Sequence, residues 1–194
     1  FPLLELLRSV GTPEARKALS GLTKSKDIAV RIEARILAAG DPSAVEDELT
    51  NLLNDKSIGV RIASLRAVAR HELKRVLPAV TRRINASSFS ALPPEERREL
   101  FTTVIQLAPD RGEALALDVA KKGGLFTNES REASRIAAIE ALGAASRSHA
   151  VAQALHQIAQ SRWATSDDTR SRASAAAAQV EARAHAHAPE GNPS

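Results

Sequence analysis

The chain has 194 residues and a mass of 20.7 kDa, with 43% hydrophobic and 26% charged residues, which is enough apolar side chain for a sizeable core. It has no cysteine, which excludes disulfide scaffolds, zinc–cysteine centres and thiol chemistry. Lys plus Arg exceed Asp plus Glu only as 27 to 23, a formal charge of +4, so binding to nucleic acid or to a membrane surface would require a local basic patch.

Aromatic residues are 3% of the chain and alanine is close to a fifth of it. With little Gly and Pro and much Leu, Arg and Glu, this composition predicts helix rather than sandwich or barrel. The first helix is predicted over 3–9, where Leu3, Leu4, Leu6 and Leu7 make an apolar half-unit. Residues 1–10 are expected to be a truncated half-repeat that a further repeat or chain covers, because the end of a repeat array should carry a polar outer face. The second helix, 13–23, opens at Gly11-Thr12-Pro13-Glu14 and the fourth, 43–54, at Gly40-Asp41-Pro42-Ser43. Thr12 or Asp41 stands at the N-cap and Pro at the first helical position. Apolar residues of helical period then place helices at 28–39, 58–69, 72–85, 94–107, 111–122, 130–144, 148–161 and 167–185, with no period-2 alternation. The breakers Pro93-Pro94, Gly123-Gly124 and Asn128 fall in three longer connections, 85–94, 120–130 and 161–167. Residues 11–187 are expected to be one domain and 188–194 a disordered tail.

No apolar run reaches the roughly 18–20 residues of a membrane span, so no membrane partner is expected. The chain contains no Met, even at position 1, and is expected to be a fragment or processed product of a cytoplasmic protein.

Two segments align directly: Ile28-Ala29-Val30-Arg31-Ile32 and Ile58-Gly59-Val60-Arg61-Ile62. A further copy runs Arg135-Ile136-Ala137-Ala138, and Arg98 and Arg172 stand 37 residues to either side of Arg135. Arg31, Arg61, Arg98, Arg135 and Arg172 thus mark five units spaced 30, 37, 37 and 37. Three residues after each come Ala34, Ser64, Phe101, Ala138 and Ala175, a small-residue column that Phe101 interrupts. The middle unit is therefore either packed more openly or out of register by one.

Paired helices at this period, the second opening on an acid followed by Val-Arg, resemble the HEAT repeat family. The 30-residue spacing resembles its short bacterial, phycobilisome-lyase-type form. The carriers are Asp27-Ile28-Ala29-Val30-Arg31, Asp55-Lys56-Ser57-Ile58-Gly59-Val60-Arg61 and Ser134 to Gly143. The resemblance implies an all-α, right-handed α-solenoid of about five HEAT-like helix pairs, with a concave face lined by second helices. It also implies binding or scaffold duties more often than catalysis.

The arginine column has two readings. Each Arg follows an acid within two turns (Asp27, Asp55, Glu95, Glu132, Asp167), so its fork can reach an acid or a loop carbonyl of the adjacent unit. The structural reading is a ladder between neighbouring units; the functional one is a stripe for phosphate. Phe89, Phe126 and Trp163 are also spaced 37 and 37 and lie nine residues before Arg98, Arg135 and Arg172. They either close the local core under long loops or form an edge that meets a partner. No column of the second helices stays basic, and Arg82-Arg83, Arg97-Arg98 and Lys121-Lys122 are local doublets. No phosphate-cradling glycine loop, nucleophile elbow or metalloprotease motif occurs. His149 and His156 lie seven apart without a third ligand in view. The sequence thus leads to a non-catalytic protein–protein scaffold with no cofactor and no metal. Sequence-independent nucleic-acid binding is the alternative.

Overall fold

The computed structural model describes residues 2–122, 128–161 and 165–186, and these are all-helical, without a strand. In chain order the helices are α1 (Pro2–Val10), α2 (Pro13–Leu22), α3 (Ile28–Ala39), α4 (Glu46–Leu52), α5 (Ile58–Arg70) and α6 (Leu77–Ile84). They continue as α7 (Pro94–Leu107), α8 (Pro109–Lys121), α9 (Glu129–Ala145), α10 (His149–Gln160) and α11 (Asp167–His185). Short 3-10 turns at Pro42–Val45 and Lys74–Val76 lead into α4 and α6, and another, Ser87–Ala91, precedes α7.

The helix starts follow from side-chain acceptors that satisfy the orphan N–H groups of a first turn. Thr12 Oγ1 accepts from Ala15 N at 3.2 Å, Asp27 Oδ1 from Val30 N at 3.0 Å, Asn128 Oδ1 from Arg131 N at 2.9 Å and Ser166 Oγ from Thr169 N at 3.2 Å. Gly40, with φ of 76°, ends α3 in the left-handed region. The end of α5 also takes a positive φ, without glycine. Glu72 takes φ of 51°, its N–H reaching Ala69 O at 3.2 Å while Leu73 N reaches Val68 O at 3.0 Å, the paired bonds of a Schellman cap.

The chain divides into two compact units, Phe1–Arg82 and Arg83–Ser194, so the division falls inside α6. In the first unit α1 packs on α2 and α3, α3 on α5, and α4 on α5. Leu4, Leu19, Ala34 and Leu37 form a buried cluster against which Leu22 and Val30 pack. Only Leu4 of α1 is buried, while Leu3, Leu6 and Val10 stand exposed on the same helix.

In the second unit α7, α9 and α11 form a row, each packed on the next. Helix α8 packs on α7 and α9, and α10 on α11 and α8. Leu100, Phe101, Ile105, Ile139, Leu142 and Leu155 are the large apolar side chains fully buried there. Two glycines set the closest approaches. A Cβ at Gly112 would lie 2.6 Å from the Ile105 backbone, and one at Gly143 would lie 2.7 Å from Ala176 Cβ. Helix α8 therefore rests on the backbone of α7, and α11 on that of α9.

Candidate functional site

Four arginines recur at one place in α3, α5, α7 and α11, and that place is set by the helix start rather than by a 37-residue period. Arg31 and Arg61 are each the fourth residue of their helix, α3 and α5. Arg31 Nη1 donates to Ser25 O at 2.8 Å, and Arg61 Nη1 donates to Asp55 O at 2.7 Å and Lys56 O at 3.1 Å. The fourth residue of α7 is Arg97, not Arg98, and the fourth of α11 is Arg170, not Arg172. Arg97 Nε donates to Leu92 O at 2.6 Å and Arg170 Nη1 to Thr165 O at 2.8 Å. The same bond thus recurs four times, to a carbonyl five or six residues upstream.

Arg135 keeps the expected register although α9 begins earlier relative to it. Its Nε donates to Ala120 O at 2.7 Å, and its Nη2 reaches Thr165 Oγ1 at 3.1 Å. Arg97 also crosses to the next helix of the row, its Nη1 donating to Ser130 O and Ser134 Oγ, both at 2.7 Å. Counted from Arg31, Arg61, Arg97, Arg135 and Arg170, the residues three positions on are Ala34, Ser64, Leu100, Ala138 and Ala173, all 0% exposed. Burial decides the register in α11, where Ala175 is exposed, and the bond of Arg97 to Leu92 O decides it in α7, where Phe101 is 0% exposed as well, giving spacings of 30, 36, 38 and 35. Arg97 is so enclosed that burial lowers its pKa from the usual guanidinium value.

Arg98 and Arg172, displaced from that place, converge instead on one carboxylate. Arg172 Nη1 bonds Glu140 Oε1, and Arg98 Nη1 lies 3.8 Å from Glu140 Oε2. Arg172 Nε also donates to Asp168 Oδ1 at 2.9 Å and Oδ2 at 3.0 Å. The bond to Asp168, then that to Glu140, raises the Arg172 pKa. These side chains line an open recess of about 380 Å³ across α7, α9 and α11. Arg172, Ala175 and Gln179 are one stripe of α11, and Ala144 stands one turn beyond Glu140 on α9. The alanine floor follows from the Gly143 contact, which draws α11 close to α9.

Of the aromatic row, Phe89 is buried in the turn before α7, its ring edge-on to Phe101 at 5.5 Å and 80°. Phe126 and Trp163 lie outside the described residues. Two buried carboxylates give no sequence signal of their own. Glu96 accepts Arg83 Nε at 3.1 Å and Nη2 at 2.7 Å. Glu33, on α3, meets the end of α5, where His71 Nε2 lies 2.7 Å from Oε1 and Arg70 Nη1 donates to Oε2 at 2.6 Å. Burial alone would raise the Glu33 pKa; the bond and charge of His71, with Arg70, outweigh it and hold the carboxyl below its ordinary value. His156 Nε2 lies 3.0 Å from Glu181 Oε1, joining α10 to α11.

Chemically, the arrangement separates two kinds of charge. The enclosed ionisable groups hold helix starts and helix neighbours, while Arg98, Glu140 and Arg172, each partly exposed, lie together at the recess. Among the described residues no three His, Asp or Glu side chains are placed to hold a metal ion, and no helix is long and apolar enough to cross a membrane. No protein-family model, curated protein or solved structure matches the chain.

Proposed function

We propose that the chain is a non-catalytic protein–protein interaction scaffold, a right-handed α-solenoid of about five HEAT-like helix pairs. The reading rests chiefly on the recess over α7, α9 and α11, where exposed polar side chains of three successive second helices meet. The recurring arginine bond at the helix starts supports the repeat character of both units. Support for the nucleic-acid alternative is thinner. In the basic doublets Arg97 and Arg83 are drawn into helix contacts, and Lys122 donates to Asp118 at 2.5 Å. The exposed Leu3, Leu6 and Val10 of α1 are read as the seat of a further repeat or chain. With that seat open the chain should self-associate, and Leu3→Glu with Leu6→Glu should reduce association in sedimentation velocity; an unchanged profile contradicts the seat.

A photo-crosslinking residue at Ala144 or Ala175 tests the scaffold reading against one at the exposed Gln153 or Gln157 of α10. Recess positions should capture a discrete protein that rebinds as a purified component and tolerates added salt. Capture of nucleic acid, with affinity falling steeply as salt rises, would transfer the reading to the alternative. Equal capture from both pairs of positions would remove the recess from the function.

A further inference from the structure

We draw no further inference here: the strongest candidate, the exposed apolar patch of Leu3, Leu6 and Val10 on α1, is the seat already described, and nothing in the structure shows what covers it.

Discussion

Arg97 and Arg98 are adjacent, chemically identical and opposite in consequence, which makes the pair a sharp test of the register. The Arg97 guanidinium, 5% exposed as a residue, donates to Leu92 O, Ser130 O and Ser134 Oγ. Truncation to Ala leaves Ser130 O with its bond from Ser134 Oγ at 3.0 Å. The Leu92 carbonyl and one Ser134 lone pair are deprived of a charged donor. Hydrogen bonds from charged groups contribute about 1.5–3 kcal/mol each, so Arg97→Ala should cost about 3–5 kcal/mol. In a chain of this size that lowers the melting temperature by roughly 6–20 °C. Arg98 has a 40% exposed side chain and one ion pair at 3.8 Å, so Arg98→Ala should cost about 0–1 kcal/mol. Urea denaturation followed by far-ultraviolet circular dichroism measures both. Equal destabilisation by the two substitutions, or an unmoved Arg97→Ala transition, would refute the assignment of the fourth helical residue as the anchoring arginine.

Glu33 has its pKa lowered in the fold, so it stabilises the folded state above the ordinary carboxylate range. That contribution fades as pH falls below about 4.3 and through the folded value. Glu33→Gln should remove this portion of the acid-dependent loss of stability, and an unchanged stability-versus-pH slope would contradict it. Glu72 holds the left-handed cap position after α5 with φ of 51°, so Glu72→Gly should raise stability by about 1 kcal/mol; a lower urea midpoint would count against the cap. Phe89→Ala should cost about 3–5 kcal/mol, because the ring is 9% exposed and packed edge-on against Phe101. An unmoved melting curve would return Phe89 to the partner-facing edge.

Helix positions were legible because capping residues and apolar period are local. The expected 111–122 and 130–144 are found as Pro109–Lys121 and Glu129–Ala145. The spacing picked out Arg31, Arg61 and Arg135, which bond backbone carbonyls, but Arg98 and Arg172 in place of their neighbours Arg97 and Arg170, for a physical reason. Extra residues in the connections change the spacing between helices without changing the phase inside one. A constant 37-residue step therefore selects Arg98 and Arg172 over Arg97 and Arg170. Counting from Pro94 and from the Ser166 cap would have found the anchoring residues, since those signals mark the helix start itself. The recess and the Glu33 cluster were beyond the sequence. Arg98, Glu140 and Arg172 are brought together only by the packing of α7, α9 and α11, and Glu33 meets Arg70 and His71 across 37 and 38 residues of chain.

The bond from a guanidinium to the carbonyl five or six residues upstream also governs how such a chain can lengthen. It fastens only the last few residues before a helix, at Ser25, Asp55, Leu92 and Thr165. Everything earlier in the connection is free of that joint. Doubling a loop adds only about 0.6 kcal/mol of closure entropy. An insertion upstream of the joint therefore leaves the angle at which the next helix enters unchanged. Chain length and helix phase become separately variable, so connections of different length can lead into the same bonded helix start.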